Sequence, residues 1–353
     1  MIDFGTPLEP RGWYAAPGPE SDVIVSSRVR LSRNLQGYRF PHIMEEEERA
    51  AVDNLISAAL AGKENPDSMD VVKLGDISPV ERRILLERNM ITQDFSLKTF
   101  KSFFLTKDQV VSGMVNEKDH LRFSGIMPGL DLQRTFDRVN RLDDFLEDTL
   151  DYAVSIDFGY LTPDVTNAGC GFRASLLMHL PALVRTGLIE KALKAIVQLG
   201  MNVKGYFTDE HLSLGDMYQV ANQFSMGSGE KEILEKLENL GIQLVHYERK
   251  AREELLSRRN LDMEDLVYRS WGILTNCRKI TAGEAIEHLS TLRFGVLLGM
   301  LNVSLEDLTA LQFVTQKAHM QHYSKDREDE SESGLLDKIR AETIQTLLKG
   351  SAT

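Results

Sequence analysis

Two closely spaced arginines in an alternating stretch are the first residues that could do chemistry. Val23 to Asn34 reads V-I-V-S-S-R-V-R-L-S-R-N, and its apolar and polar residues alternate with the period of a β-strand. Arg28 and Arg30 are two residues apart, so both side chains leave the same face of that strand. Because guanidinium groups offer planar, paired donors to phosphate oxygens, the stretch predicts a polyphosphate-binding surface. An exposed strand that merely carries charge is the alternative for this stretch taken alone.

Three further segments set basic residues beside turns. Asn116 to Arg122, N-E-K-D-H-L-R, is a polar turn that runs into a strand arginine. Asn167 to Ser175, N-A-G-C-G-F-R-A-S, is a glycine loop that we expect to open a short helix over Phe172 to Leu180. Arg173 would then lie at the helix start, where free N–H groups and the helix dipole favour an anion. Val203 to His211, V-K-G-Y-F-T-D-E-H, again joins a basic residue to a glycine and carboxylates. The four segments could therefore meet at one site.

Other nucleotide and metal motifs are absent or incomplete. Gly169, Gly171 and Ala174 fit the G-x-G-x-x-A fingerprint of dinucleotide folds, but the preceding L-T-P-D-V-T-N-A is polar and contains a proline instead of forming a buried strand. The chain has no G-x-x-x-x-G-K-[ST] loop, which excludes a P-loop kinase. Its eight histidines show no H-x-x-x-H or H-E-x-x-H pairing, so no zinc site is predicted.

The composition narrows the class of protein. The 353 residues carry a net charge of −12, so nucleic acid is not an expected partner. Cys170 and Cys277 are too few for a disulfide framework. No apolar run reaches membrane-spanning length, and the N-terminus lacks a basic-then-apolar leader pattern. We expect a cytoplasmic protein with neither a membrane nor a nucleic-acid partner.

The hydrophobic periodicity divides the chain into a part that mixes strands with helices and a part that is almost entirely helical. Residues 1–228 mix strands, predicted over 23–34, 100–105, 109–115, 120–124, 201–207 and 217–224, with helices over 45–60, 79–87, 132–153, 172–180 and 188–199. Residues 229–353 show almost only helical patterns, over 231–258, 261–275, 281–298, 304–322 and 335–348. The prediction is an α+β domain over 1–228, a boundary at M-G-S-G-E, and an all-helical C-terminal domain over 229–353.

Taken together, the four basic segments resemble the phosphagen (guanidino) kinases. S-S-R-V-R-L-S-R-N-L and N-E-x-D-H-L-R stand in the family's order and spacing, and the similarity runs from about residue 20 to 226, with a weaker helical match over 268–321. The chain is most similar to the bacterial branch that phosphorylates arginine side chains of proteins, because the first motif begins near residue 26 without the helical domain that precedes it in animal relatives.

This resemblance implies a fold, cofactors and partners. The fold would be an antiparallel sheet flanked by helices, and the cofactors would be ATP and Mg²⁺. The partners would be protein substrates bearing arginine, and the helical C-terminal domain would form a homodimer.

The resemblance also assigns binding residues. The ATP phosphates would be held by four arginines and a lysine, namely Arg28, Arg30, Arg122, Arg173 and Lys204. Further nucleotide contacts are implied at or beside the same motifs for Ser26, Ser27, Asn89, Ala174, Ser175 and Gly205. Glu117 and Asp119 would orient magnesium through water, because Mg²⁺ keeps most of its hydration shell.

The expected reaction is transfer of the γ-phosphoryl group to a guanidinium nitrogen. A guanidinium is not nucleophilic until a proton leaves, so a carboxylate base is expected. Here the chain departs from the family, because the usual base position in N-E-E-D-H is Lys118, and Asp164 replaces a reactive cysteine. The predicted catalytic residues are Asp209, Glu117 and Lys118, with Asp164 and Glu210 as alternative bases.

Three functions stay open on these residues. The first is an active or slow protein-arginine kinase, which the retained arginines favour. The second is a non-catalytic nucleotide-binding adaptor, which Lys118, Lys204 and Asp209 favour because they depart from the family pattern. The third is a kinase for a small free guanidine.

A motif in the last predicted helix suggests a second site. Leu336 to Ala341 reads L-D-K-I-R-A and resembles the R-D-x-x-R-A motif with which the bacterial branch reads phosphoarginine. Asp337 and Arg340 are retained and are predicted to bind phosphoarginine, whereas Leu336 replaces the first arginine. An ordinary amphipathic helix is the alternative.

Overall fold

An eight-stranded antiparallel sheet carries the arginines of the four basic segments and Lys204 in the computed structural model, which describes residues 2–6, 9–62, 65, 67–207, 213–258, 260–324 and 332–351. The strands in chain order are β1 (Ile24–Arg33), β2 (Met69–Lys73), β3 (Ser102–Thr106), β4 (Val111–Val115), β5 (Leu121–Pro128), β6 (Val154–Ser155), β7 (Gly159–Tyr160), β8 (Phe172–His179), β9 (Met201–Gly205) and β10 (Met217–Asn222). β6 and β7 pair with each other, and the remaining strands lie in the order β2-β3-β4-β5-β1-β8-β10-β9. β1 is therefore central, and the expected antiparallel sheet is confirmed.

Helices surround this sheet and make up the C-terminal part. They are α1 (Glu46–Leu60), α2 (Pro79–Glu87), α3 (Gln93–Ser96), α4 (Leu132–Glu147), α5 (Pro181–Arg185), α6 (Ile189–Gln198), α7 (Glu230–Arg258), α8 (Asn260–Asn276), α9 (Ala282–Leu297), α10 (Leu305–Val314), α11 (Lys317–Tyr323) and α12 (Glu332–Ser351). α2 begins where predicted, because Ser78 and Glu81 form a reciprocal capping box and Pro79 occupies the first turn.

Alternation along the central strands gives the sheet one apolar and one basic face. Val29, Leu31, Phe123 and Phe172 are buried on the apolar face. α4 and α7 cover this face, and Gly241 of α7 lets the helix approach the sheet closely. Burying this face on the main core leaves the opposite face, with Arg28 and Arg30, free for a site.

Two smaller apolar clusters flank the basic face. On one side Phe95 and Phe103 join α2 and α3 to the sheet edge, and Met114 of β4 belongs to the same cluster. On the other side Leu177 and Ile126 pack under the C-terminal helices. The basic residues therefore lie in a trough between the α2–α3 layer and the C-terminal helices.

The predicted helix over residues 172–180 is wrong, because Phe172–His179 forms strand β8 in the middle of the sheet. Its residues pair with β1 on one side and β10 on the other, so the backbone hydrogen bonds that a helix would use internally are made to neighbouring strands. The run L-L-M favours a helix locally, but long-range pairing overrides that propensity. Arg173 accordingly projects from a strand and not from a helix start.

The single helix predicted over 304–322 is also wrong, since α10 and α11 are separate. The carbonyl of Thr315, which lies between them, accepts a hydrogen bond from Arg340 Nε at 2.7 Å. That carbonyl is drawn away from the helical ladder, so α10 ends before it. The edge strand β2 and the short helix α3 were not predicted; both are short, and β2 lies half-buried at the sheet edge.

The boundary predicted after residue 228 stays a prediction. α7, the first helix beyond it, packs Ile233, Leu237, Leu240 and Leu244 into the main core beside the sheet. None of the described helices is long and apolar enough to cross a bilayer.

Candidate active site

Five basic side chains project from one face of the sheet into a cavity of about 480 Å³, which we call the phosphate pocket. These five residues, named the cation cage below, are Arg28, Arg30, Arg122, Arg173 and Lys204.

Strand register brings the cation cage together. Arg30 of β1 is paired directly with Arg173 of β8, and residues paired directly in an antiparallel ladder share a face. Arg122 of β5 lies opposite Ser32 of β1, and Lys204 of β9 lies opposite Gln219 of β10. The four segments thus converge through the register of five strands.

The cation cage has little counter-charge. Arg28 Nη2 donates to the Ser124 hydroxyl at 3.2 Å and Arg30 Nη2 to the Asn167 carbonyl oxygen at 3.4 Å, and both acceptors are neutral. The Nε atoms of Arg28 and Arg122 are buried without a hydrogen-bond partner in the described part of the chain. Such unsatisfied guanidinium donors are costly to bury unless an anion binds them.

The pKa values reflect this crowding. Burial lowers the pKa of Arg28 to about 10, and repulsion from Arg122 and Arg173 adds to the effect. Burial and neighbouring arginines also lower the pKa values of Arg30, Arg173 and Lys204. The cage therefore stores electrostatic repulsion that a polyphosphate would relieve.

Arg33 on the same strand shows the contrast with a structural arginine. It lies on the apolar side, where its Nε and Nη2 donate to Asp143 and its guanidinium stacks 3.7 Å from the Tyr160 ring centre. Its pKa is raised, because the Asp143 carboxylate outweighs the effect of burial. Within the described ranges, Arg33 is paired with a carboxylate whereas Arg28 and Arg30 bind only neutral acceptors, so neighbouring arginines of one strand differ in role.

The Glu117 carboxylate, called the carboxylate edge below, contacts two residues that line the phosphate pocket, Arg122 and Thr92. Glu117 accepts hydrogen bonds from Arg122 Nη1 at 2.6 Å, from the Lys118 backbone N–H at 2.7 Å and from the Thr92 hydroxyl at 3.0 Å. Burial opposes the ionisation of Glu117, but Arg122 and these donors hold its pKa below the ordinary value. Glu117 is thus an ionised group that fixes the direction of a cage arginine, while the Lys118 side chain is exposed.

The turn that carries this edge is anchored to the end of β1. Asn34 Nδ2 donates to Asp119 Oδ1 at 2.9 Å, and the His120 backbone N–H donates to Asn34 Oδ1 at 2.9 Å. The Leu35 N–H donates to His120 Nδ1 at 2.8 Å. These contacts hold the turn of residues 116–120 against the central strand.

The acidic residues fit a magnesium ion carried by a polyphosphate better than a metal held by protein alone. The described residues contain no group of three His, Cys, Asp or Glu side chains able to hold a metal ion. Asp119 Oδ2 is nonetheless buried without a hydrogen-bond partner, and burial raises the pKa of this carboxyl group. One or two carboxylates together with phosphate oxygens are the usual surroundings of Mg²⁺.

Several pocket residues were missed from the sequence. Ser124, Asn167, Asn202 and Gln219 line the pocket or bind the cage. Ser124 and Asn202 each lie two residues from a cage member on the same strand, so strand periodicity could have found them. Asn167 and Gln219 carry no such local signal.

The remaining predicted nucleotide residues fall into two groups. Asn89 and Ser175 line the phosphate pocket, and Asn89 Nδ2 donates to the Tyr206 hydroxyl. Ser26 lines a small adjoining cavity that also contains Asn89 and Ser175. Asn89 has a φ of 58°, in the left-handed region that asparagine tolerates well.

Three predicted nucleotide residues do not project into the pocket. The Ser27 hydroxyl donates to the Gly129 carbonyl at 2.8 Å and accepts from the Asp131 N–H. Ala174 is buried in the main core, and Gly205 ends β9 opposite Tyr218. Their side chains are structural; a backbone contact with nucleotide stays a prediction.

The candidate bases are only partly described. Asp209 and Glu210 lie outside the described residues. Asp164 begins the turn of residues 165–167 and accepts hydrogen bonds from the Thr166 N–H and hydroxyl at 3.0 and 2.7 Å. The Thr166 hydroxyl and then the charges of Lys118 and Arg122 hold its pKa below the ordinary value. The Cys170 thiol differs from the Asp164 carboxylate, because burial disfavours its ionised form and raises its pKa to about 11.

The second predicted site, in α12, is tightly packed. Arg340 is buried, and its Nη1 donates to Asp337 Oδ1 at 2.6 Å and to the Ile280 carbonyl at 2.7 Å. Leu336, at the family's arginine position, is buried in an apolar cluster. Arg340 therefore joins α12 to its neighbours, and phosphoarginine binding there stays a prediction.

A cluster of cations on one face of an antiparallel sheet, with the Glu117 carboxylate against one of them, is suited to binding a polyphosphate. Solved structures of kinases share this fold. One match is described as the crystal structure of lombricine kinase, with a TM-score of 0.58, 22% identity and coverage of 68% of this chain and 71% of that one. The substrate-free duplicated taurocyamine kinase of Schistosoma mansoni gives a TM-score of 0.60 at 19% identity, over 81% of this chain and 42% of that one.

Sequence comparison then identifies the family. Residues 51–251 match the model of the ATP:guanido phosphotransferase C-terminal catalytic domain, and residues 260–353 match that of the protein-arginine kinase McsB C-terminal domain. The protein-arginine kinase of Bacillus licheniformis is 40% identical over 315 residues, covering 88% of this chain and 87% of that protein. That of Geobacillus stearothermophilus is 36% identical over 94% of both chains. The chain belongs to the ATP:guanido phosphotransferase family, in the branch of the protein-arginine kinases.

Proposed function

We propose that the protein transfers the γ-phosphoryl group of ATP to a guanidinium nitrogen of arginine side chains in proteins. The observation that carries this proposal is the convergence of four arginines and one lysine on a single pocket in a member of this family. Phosphoryl transfer needs positioning and charge neutralisation more than covalent help from the protein. The cation cage supplies both for a triphosphate.

The residues in and beside the phosphate pocket have separate tasks in this proposal. The arginines of β1 and β8 hold phosphate oxygens, and Glu117 keeps Arg122 aimed at the transferring group. Asn89 and Ser175 line both the phosphate pocket and the small adjoining cavity that Ser26 lines, and these three residues are proposed to face the nucleoside. Mg²⁺, when bound with ATP, neutralises phosphate charge, and Glu117 and Asp119 are the residues that would hold it through water.

The proton of the substrate guanidinium needs an acceptor. We assign Asp164 as the described carboxylate that orients the guanidinium, because it is ionised and close enough to sense the charges of Lys118, Arg122 and Arg173. An acid at position 164 would then offset the lysine at the usual base position. Asp209 keeps its predicted role as base.

Detection of phosphoarginine tests the proposal. The protein is incubated with Mg-ATP and an arginine-rich protein, and arginine-linked, acid-labile phosphate is measured by mass spectrometry. Native protein should form it, Arg30→Met should not, and Arg134→Met, which removes an exposed arginine from α4, should behave as native. ATP binding without phosphoarginine across a broad pH range would contradict the proposal and favour the adaptor hypothesis. A rate for free arginine equal to that for protein arginine would favour the free-guanidine hypothesis.

Homodimerisation through the helical region and a cytoplasmic location are also proposed. The match of residues 260–353 to the C-terminal domain model supports the former only through the family. Light scattering of the purified protein would measure its oligomeric state.

A further inference from the structure

A second cavity adjoins the phosphate pocket and is not used by the proposed reaction. It has a volume of about 570 Å³ and lies between α2, α3 and the start of α11. Leu86 and Gln93 line both cavities, so the two share a wall. We call it the side cavity.

The side cavity is positively charged although the whole chain is acidic. Arg82 and Arg83 of α2 and Lys317 of α11 line it, and no hydrogen bond or ion pair in the described part of the chain engages their charged groups. Arg82 is half-buried, while the other two are exposed. In a chain with a net charge of −12, three unpaired cations around one concavity indicate an anionic ligand.

Glu87, the acid in its lining, offsets one of these three charges and leaves the lining with a net positive charge. Glu87 accepts the backbone N–H of Ala318 at 2.7 Å and shares a hydrogen bond of 2.7 Å with His319 Nδ1. Its carboxylate is therefore committed to the start of α11. The same contacts fix α2 to the C-terminal helices, so the cations are held on a rigid frame.

The side cavity is linked to the residues that hold the cation cage in place. Thr92, the neighbour of the shared Gln93, donates to Glu117, which in turn fixes Arg122. The side cavity therefore lies directly beside the phosphate pocket, with Leu86 and Gln93 between them. Leu97, with 68% of its surface exposed, adds an apolar contact at the rim.

We propose that the side cavity docks an acidic segment of the protein substrate next to the arginine that is phosphorylated. This rests on the proposed kinase function and deepens it by naming a substrate class. Carboxylates match both the planar donors of arginine and the unpaired charge of the cavity. An arginine on a folded protein is often paired with a carboxylate, and the cavity offers that carboxylate a new partner when the arginine enters the site.

A peptide pair tests this docking. Both peptides carry one arginine, flanked by aspartates in one peptide and by asparagines in the other. Native protein should have a KM about tenfold lower for the aspartate peptide, because two or three exposed ion pairs each contribute modestly. Arg82→Glu/Arg83→Glu should abolish or reverse this preference, with kcat and the KM for ATP unchanged. Raising the salt concentration should reduce the native preference.

A matched double variant controls for net charge. Arg134→Glu/Arg141→Glu makes the same charge change on exposed positions of α4 and should keep the native preference. If native protein phosphorylates neither peptide, the kinase function itself fails. If it phosphorylates both with equal KM, or if both double variants lose the preference alike, only the docking proposal is overturned. Tighter binding of a phosphoarginine peptide than of the aspartate peptide at the cavity would also overturn it, in favour of a product site.

Discussion

Replacing Arg28 with methionine should stabilise the ligand-free protein while abolishing its response to ATP. The pKa of Arg28 is lowered from the ordinary 12.5 to about 10, mainly by burial. At about 1.4 kcal/mol for each pH unit, this corresponds to about 3 kcal/mol of destabilisation. Because the folded pKa lies below the unfolded one, the cost is fully present below about pH 10 and is relieved as the pH rises toward 12.5.

The net stabilisation from Arg28→Met should be smaller than about 3 kcal/mol. Methionine cannot make the 3.2 Å hydrogen bond that Arg28 donates to Ser124, and it fills the space less well. These two losses offset about 1 kcal/mol of the stabilisation. A net stabilisation of about 1–2 kcal/mol is therefore expected near neutral pH.

Urea unfolding with and without Mg-ATP measures both effects. Native protein at a ligand concentration about 100 times Kd should gain about 2.7 kcal/mol. The Arg28→Met variant should start from a higher midpoint and gain nothing from nucleotide, and Arg134→Met should match native protein in both respects. A lower midpoint without nucleotide, or a full ATP response, would refute the view that the cage stores repulsion for a polyphosphate.

Three further perturbations address other parts of the molecule. Glu117→Gln should lower kcat by about 10²-fold without raising the KM for ATP, because it loosens Arg122 and leaves the cage more positive; steady-state kinetics showing a raised KM at native kcat would contradict this. Asp143→Asn should destabilise the fold by about 3–5 kcal/mol in urea unfolding, because it leaves the buried Arg33 unpaired; an unchanged midpoint would be inconsistent with that role. Burial raises the pKa of Glu248 from 4.5 to about 7, so its contribution lowers native stability as the pH rises through that range; unfolding of Glu248→Gln followed against pH should lack this fall, and an identical pH profile would argue against it.

Much of the candidate site could be predicted from local sequence. Arg28 and Arg30 share a strand face because their spacing matches the strand period, and Glu117 and Arg122 stand in a family motif. Arg173 lines the phosphate pocket from a strand, although the sequence predicts a helix there. Its chain neighbours favour a helix, whereas pairing with β1 and β10 makes the segment a central strand.

The sequence by itself determined which residue types could bind a polyphosphate, the α+β composition and the family motifs that order them. Tertiary structure alone decided which arginines are unpaired. Arg33 is neutralised by Asp143, 110 residues away, while Arg30, on the same strand, donates to the neutral amide of Asn167. The reason is physical, because the charge of a buried group depends on long-range neighbours brought close by folding, and local spacing carries no information about them.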